Sequence, residues 1–205
     1  AASWRCLPPL SGRLSRLLGH TLSSKQKVVL YASHPDFEQT NVIEGELDEG
    51  TGGVTEGARR RIVMPLAATL ADSDHVLGHE LVHAFQYDIS GTNVSAGTAG
   101  ALGLPLWFIE GMAEYLSIGP EDPHTAMWIR DAARSEDGLP SIGDLDNPRL
   151  FPYRWGQAFW AYVAGRWGDD IVRKMLDEAI RSGGPSPAIE SVLGVKEEEL
   201  SAQWH

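Results

Sequence analysis

The sequence predicts an α+β fold in which a small, mostly antiparallel sheet is followed by helices, and three observations support this prediction. Strand-like apolar segments are confined to the first third of the chain, at residues 27–33, 41–44 and 61–66. An amphipathic helical pattern at residues 3–22 precedes them. From residue 72 onward the apolar residues again recur at helical spacing. Strands and helices are therefore segregated along the chain, which is typical of α+β proteins.

The length of 205 residues fits one domain, and a hydrophobic content of 42% is ample for a core. We expect a single domain over residues 1–205. It would consist of an N-terminal helical extension (1–26), a strand-rich part (27–70) and a helical part (71–205).

The charge balance limits the partners that this chain can have. With 28 acidic against 17 basic residues, the formal net charge is −11, which argues against nucleic acid and anionic membranes as partners. No run of 18 apolar residues could span a membrane, and no leader pattern opens the chain. Because the sequence starts at Ala1 without a Met, we expect a piece of a longer parent polypeptide that carries further domains.

The single cysteine, Cys6, excludes an internal disulfide and a cysteine-rich zinc site. Any metal ion must therefore be held by histidine and carboxylate ligands.

The most informative stretch is His79-Glu80-Leu81-Val82-His83, an HExxH pattern. Histidines four residues apart lie on one face of a helix and can bind one Zn²⁺ from the same side. The glutamate between them is placed to take a proton from a zinc-bound water. The alternative is a core helix whose two histidines are satisfied by hydrogen bonds to neighbouring groups.

The surroundings of this pattern predict a helix. Apolar residues recur at helical spacing, Asp72, Ser73 and Asp74 are N-cap candidates, and Ser90-Gly91 ends the pattern. His75 lies one turn before His79, where a third helical ligand would crowd the open position of the metal. We expect a capping or supporting role for it.

A glycine-rich segment, residues 91–100, is expected to be a mobile loop, and a second helix is predicted from Pro105 to Ser117. Its acidic residues Glu110 and Glu114 are four apart and share one face. A zinc site of the two-histidine, one-glutamate kind needs two such carboxylates, one as a ligand and one to orient a histidine.

HELVH followed by Trp107-Phe108-Ile109-Glu110-Gly111-Met112-Ala113 resembles the gluzincin metallopeptidases, the superfamily of thermolysin and aminopeptidase N, whose second motif commonly reads W-x-x-E-G-x-A. The resemblance implies a zincin-like fold with zinc as the cofactor. It implies His79, His83 and Glu110 as zinc ligands and Glu80 as the general base. Glu114 would match the acidic residue that supports a zinc histidine. The 26 residues that separate His83 from Glu110 exceed the usual spacing.

Two further segments are similar to parts of the aminopeptidases. Pro152-Tyr153-Arg154-Trp155-Gly156 resembles P-Y-E-K-G, which implies that Tyr153 stabilises the oxyanion; the alternative is a tyrosine that merely starts a core helix. Gly52-Gly53-Val54-Thr55-Glu56 lies where aminopeptidases carry G-x-M-E-N, so Glu56 could contact a substrate amine. The alternative is a glycine-rich turn before a strand.

The predicted function is a zinc-dependent metallopeptidase that hydrolyses peptide bonds in a peptide or protein substrate by a Glu-activated zinc-bound water. The resemblance also favours an exported protein, because many such peptidases are periplasmic, secreted or at the cell surface. Two alternatives stay open: a latent or inactive gluzincin-like module of a larger polypeptide, and a zinc hydrolase of a non-peptide amide or ester.

Overall fold

A computed structural model describes residues 7–42, 47, 49–91 and 102–205. The protein is α+β, as predicted, and mostly helical with a small three-stranded mixed sheet. The chain divides into two compact units, Ala1–Leu102 and Gly103–His205. None of the helices in the described ranges is long and apolar enough to cross a membrane.

The sheet of the first unit contains β1 (Lys27–Tyr31), β2 (Val54–Glu56) and β3 (Arg61–Pro65) in the order β1-β3-β2. β1 pairs with β3 in parallel over five residues, with Lys27 opposite Arg61, and β2 pairs with β3 antiparallel. The prediction of a mostly antiparallel sheet was therefore wrong. β2 and a short helix, α2 (His34–Glu38), lie between β1 and β3 in the sequence, and this long connection lets the chain return in the same direction.

Two of the three predicted strands are confirmed, since β1 and β3 begin at the predicted residues. The strand predicted at 41–44 is not seen at Asn41 or Val42, and its residues 43–44 lie outside the described ranges. The loop predicted at residues 91–100 lies outside them after Gly91.

Two helices of the first unit flank this sheet in sequence, α1 (Leu7–Leu17) and α3 (Leu70–Ser90), and both match predicted helices. α3 begins three residues earlier than expected, because Thr69 and not Asp72 is its N-cap. The Thr69 hydroxyl accepts a hydrogen bond from the Asp72 backbone N–H at 3.1 Å. Gly91 ends the helix with φ 68°, a left-handed conformation that glycine adopts without strain.

The last turn of α3 is fixed by Asp88, whose side chain is buried. Its carboxylate accepts hydrogen bonds from Ser23 Oγ at 2.5 Å and from His20 Nε2 at 2.8 Å, and it pairs with Arg60 Nη1 at 3.1 Å. Burial alone would raise the pKa of Asp88, but the hydrogen bonds from Ser23 and His20 outweigh it and hold the pKa well below its ordinary value. The segment after α1 is thereby fastened to the end of α3.

A small apolar core lies against the sheet of the first unit. Phe37 of α2 is fully buried and packs with Val54 of β2 and Val63 of β3. Val29 and Tyr31 of β1 contact the same cluster. The short helix α2 thus contributes the largest fully buried side chain of this core.

All regular secondary structure of the described second unit is helical. Its elements are α4 (Leu106–Ile118), α5 (Pro123–Ala132), a 3-10 helix (Ile142–Asp146), α6 (Pro152–Trp167), α7 (Asp170–Ser182), α8 (Pro185–Ala188), a π-helical turn (Ile189–Leu193) and α9 (Glu197–Trp204). α4 matches the predicted second helix, and the helices after residue 169 fall within the predicted helical part, 71–205. α5 was not predicted, although Asp122 as N-cap and Pro123 at the first position are ordinary start signals.

Candidate metal centre

His79 and His83 of α3 turn their rings toward one point. Their Nε2 atoms are 3.1 Å apart, and the ring centroids are 4.8 Å apart. Two nitrogens bound to one zinc ion at about 2.0–2.1 Å with a tetrahedral angle would lie about 3.3 Å apart. The pair therefore fits a shared metal ion. The distance also suits a hydrogen bond between the two rings, which is the alternative drawn from the sequence.

His83 is oriented by Gln86, which lies three residues further along α3. His83 Nδ1 donates a hydrogen bond to Gln86 Oε1 at 2.8 Å, and Gln86 is 1% exposed. Because an amide oxygen can only accept, Nδ1 carries the proton, and in the neutral imidazole Nε2 then keeps its lone pair. This is the tautomer that binds a metal through Nε2. Gln86 was not predicted, although its i+3 spacing from His83 was visible in the sequence.

His75 is the histidine one turn before His79. Its ring centroid is 6.4 Å from that of His79, with the two planes nearly perpendicular. The side chain is partly buried. His75 therefore lies beside the His79–His83 pair on α3, as the sequence spacing indicated.

The Glu80 side chain lies against strand β2. Thr55 Oγ1 lies 2.7 Å from Glu80 Oε2 and 2.8 Å from the Glu80 carbonyl oxygen. Both side chains are buried. Beside them is Gly53, where a Cβ atom would lie 2.9 Å from Glu80 Cγ and 3.1 Å from Oε1. Thr55 and Gly53 were not predicted to contribute, because the sequence comparison with G-x-M-E-N drew attention to Glu56 instead.

Glu56 is 1% exposed at the end of β2, and arginines surround its carboxylate. Arg59 Nη1 contacts Oε1 at 3.0 Å, and Arg61 Nε donates to Oε2. The hydrogen bond to Glu56 raises the pKa of Arg61, against the opposite effect of burial. A substrate amine at Glu56 would have to compete with one of these ion pairs.

In the second unit, α4 carries Glu110 and Glu114, and both are buried. Glu114 Oε2 pairs with Arg154 Nη2 of α6 at 2.7 Å, and Arg154 Nη1 contacts Asp122 Oδ2 at 3.0 Å. Glu114, which the resemblance assigns to support of a zinc histidine, is thus engaged by an arginine in its own unit. Arg154 joins α4, the start of α5 and α6 through charge.

Asp122 forms the other end of this ion-pair chain and also caps α5. Its Oδ2 accepts a hydrogen bond from the Thr125 backbone N–H at 2.6 Å. Burial would raise the pKa of Asp122, but the Thr125 hydrogen bond and the positive charge of Arg154 outweigh it, and the pKa lies below its usual range. The carboxylate therefore stays ionised near neutral pH.

The position of α4 is set by a contact between two glycines. A Cβ atom on Gly156 of α6 would lie 2.7 Å from Gly111 Cα, and one on Gly111 would lie 2.8 Å from Gln157 N. Only glycine allows the two backbones to approach this closely. Trp160 Nε1 adds a hydrogen bond to the Phe108 carbonyl oxygen at 2.8 Å. The residue before Gly111 is Glu110, so this crossing fixes the backbone of the predicted third ligand.

Tyr153 lies in the first turn of α6 and is partly buried. Its ring is 5.2 Å from the Phe151 ring, which in turn lies 5.8 Å from Trp128. Phe151 and Trp128 are exposed. Tyr153 therefore belongs to the exposed aromatic edge of the second unit as well as to the start of a packed helix.

Within the first unit, the structure brings together His79, His83, Gln86 and His75 on α3, and it holds Glu80 against Thr55. Within the second, it places Glu110 and Glu114 on one helix and Tyr153 on its partner helix. No family model matches the chain, and comparison with curated proteins and with solved structures finds no similar protein.

Proposed function

We propose that the chain is a zinc-dependent metallopeptidase. The observation that carries this proposal is the convergence of His79 Nε2 and His83 Nε2 to 3.1 Å, with the tautomer of His83 set by Gln86. Two imidazole nitrogens with directed lone pairs are the ligands that catalytic zinc sites take from one helix. Glu80, which lies between the two histidines in the sequence and is buried, would add the general base that a hydrolytic site needs.

Glu110 is proposed as the third ligand. The sequence spacing in Trp107-Phe108-Ile109-Glu110-Gly111 supports this assignment, as does the fixed backbone of α4 beside Gly111. Two histidines and one carboxylate leave a fourth position of zinc open for water or substrate. Bound zinc would supply Lewis acidity, which makes a water nucleophilic near neutral pH and polarises a carbonyl group.

The residues of the chain would perform the proton transfers. Glu80 accepts a proton from the water that adds to the peptide carbonyl carbon. Tyr153 donates a hydrogen bond from its hydroxyl to the carbonyl oxygen as negative charge develops there. Glu80 then delivers its proton to the amide nitrogen, the C–N bond breaks, and the products are a carboxylate and an amine.

The test has two measurements on the same preparations: zinc per chain by elemental analysis, and cleavage of a diverse peptide library by mass spectrometry. We expect one zinc ion per chain and cleavage that a chelator abolishes. Glu80→Gln should keep zinc and lose about 10²–10⁴-fold in turnover, the usual contribution of a general acid–base group. Glu110→Ala should lose zinc itself.

Glu136→Gln is the matched control, because Glu136 is exposed and the same chemical change there should leave turnover unaltered. Full activity in Glu80→Gln would overturn the mechanism. Zinc bound without any cleavage would indicate the latent module, and cleavage of small amides or esters alone would indicate the non-peptide hydrolase.

A further inference from the structure

We infer that Thr55 is a positioning residue that holds Glu80 in its working orientation; this inference rests on the proposed function. Thr55 is 3% exposed and lies in the middle of β2, and its Oγ1 is 2.7 Å from Glu80 Oε2. No role for this threonine follows from HExxH or from the resemblance to G-x-M-E-N. The contact joins the catalytic helix to the sheet of its own unit.

The chemistry of the contact favours a fixed carboxylate. A hydroxyl has a single proton, and a hydrogen bond to an ionised carboxylate is stronger than one to a neutral carbonyl. Thr55 therefore donates preferentially to Oε2, and the Glu80 carbonyl oxygen at 2.8 Å is the weaker competitor. With Oε2 engaged, Oε1 is the oxygen that accepts the proton of the attacking water.

Shape supports the same orientation. A Cβ atom on Gly53 would lie 3.1 Å from Oε1 and 2.9 Å from Cγ of Glu80. Since even a methyl group there would displace the carboxylate, the glutamate packs against the bare backbone of Gly53 as well as against the Thr55 hydroxyl. Hydrogen bonding and close packing thus select one direction for a side chain that otherwise has three rotatable bonds.

A proton acceptor must lie within hydrogen-bond reach of the proton that it takes, and a displacement of about 1 Å can cost about 10²-fold in rate. Thr55→Val keeps the shape of the side chain and removes the donor. We expect kcat for peptide cleavage to fall about 10–100-fold, with KM within about twofold and zinc content unchanged, because none of the three proposed zinc ligands is touched. Thr55→Ser restores the donor and should recover most of kcat.

Thr40→Val is the matched control. The Thr40 hydroxyl oxygen is buried and has no hydrogen-bond partner in the part of the chain that the structure describes. The same substitution there removes a buried hydroxyl from the same unit, and kcat should not change. Gly53→Ala is a second probe if Thr55→Val is poorly folded: it leaves the Thr55 hydroxyl in place, displaces Glu80 and should also lower kcat.

A double-mutant cycle completes the test. In the Glu80→Gln background, Thr55→Val should have no further effect on residual turnover, because the group that it positions is already disabled. An unchanged kcat in folded Thr55→Val, an equal loss in both backgrounds, or failure of Thr55→Ser to recover activity would overturn the inference while leaving the proposed function intact. A zinc-loaded wild type that cleaves no peptide would instead overturn the proposed function, and the role of Thr55 with it.

Discussion

Helices α3 and α4, which carry the proposed ligands, are held within their own units by different kinds of contact. On α3, polar partners fix the directions of individual side chains: Gln86 orients His83, and Thr55 holds Glu80. On α4, the backbone itself is fixed, because Gly111 meets the backbone of α6 with no side chain between them. Hydrogen bonds select a rotamer and a protonation state, whereas close backbone packing selects the position of a whole helix.

We therefore expect substitutions at the contacts of α3 and α4 to affect different properties of the protein. Loss of Gln86 or of the Thr55 hydroxyl, the polar partners of His83 and Glu80, should leave the fold largely intact and change zinc affinity or turnover. Loss of the glycine contact on α4 should change stability first. The four predictions that follow test this difference, beginning with the largest expected effect.

Gly156→Ala should destabilise the second unit by about 3 kcal/mol or more, because a methyl group cannot fit against Gly111 and the helices must separate. Urea unfolding followed by circular dichroism measures the change. Gly165→Ala is the matched control on the same helix, since nothing lies within 4 Å of a Cβ there. It should be neutral or stabilising by up to about 1 kcal/mol. Equal stability of the two variants would refute the close-contact explanation.

Asp88→Asn should reduce the stability of the first unit by about 1–3 kcal/mol at pH 7, because the ionised carboxylate bonds His20, Ser23 and Arg60. The pKa of Asp88 is lower in the folded state than in the unfolded chain, so its contribution is complete above the unfolded value of about 3.9 and is lost as the pH falls toward the folded value. The wild type and the variant should therefore converge in acid.

Urea titrations at pH 7, 5 and 3 measure this convergence. Asp74→Asn, an exposed change on the same helix, should lie within about 0.5 kcal/mol of the wild type throughout. If the difference in free energy of unfolding between Asp88→Asn and the wild type stayed constant down to pH 3, the role assigned to the ionised Asp88 carboxylate would be contradicted.

Gln86→Ala should weaken zinc binding by about 10–100-fold, the usual cost of removing a group that orients a metal-binding histidine. The reason is that His83 loses the acceptor that fixes its tautomer. Competition with a chromophoric chelator gives the affinity, and thermal unfolding without zinc checks that the fold is retained. Gln39→Ala, at the exposed glutamine that follows α2, should bind zinc like the wild type.

Trp160→Phe should cost about 1 kcal/mol, because it removes the indole hydrogen bond to the Phe108 carbonyl and leaves most of the ring in place. The effect should be smaller than that of Gly156→Ala if backbone contact dominates the α4–α6 crossing. Trp167→Phe, at the partly exposed end of α6, provides the comparison and should have almost no effect. If Trp160→Phe lowered the free energy of unfolding more than Gly156→Ala, backbone contact would not be the dominant interaction at the α4–α6 crossing.

Periodicity predicted the helices that carry His79, Glu110 and Tyr153 and the strands β1 and β3, because burial of one face leaves a regular spacing of apolar residues. It did not predict the parallel pairing of β1 with β3. The direction of a strand partner depends on the path of the intervening chain, and the sequence pattern within a strand does not encode it.

Capping chemistry explains the other differences. Thr69 starts α3, and Ser33 and Asp122 start α2 and α5 with a proline in the first turn. Such residues also occur in turns, so these short signals alone do not distinguish the start of a helix from a loop. The contact between Thr55 and Glu80 joins residues 25 apart in the sequence. A contact at that separation follows from the fold and has no local signature.

The glycine contact between α4 and α6 has a mechanical consequence. A junction without side chains has no rotamers that could absorb a change, so the spacing between the backbone beside Glu110 and the helix that carries Tyr153 is set by van der Waals contact of the two backbones. Substitutions elsewhere in the second unit can alter the outer faces of both helices without altering this spacing. The crossing therefore keeps the two helix backbones at a constant distance, while the exposed residues Phe151 and Trp128 can be substituted without changing it.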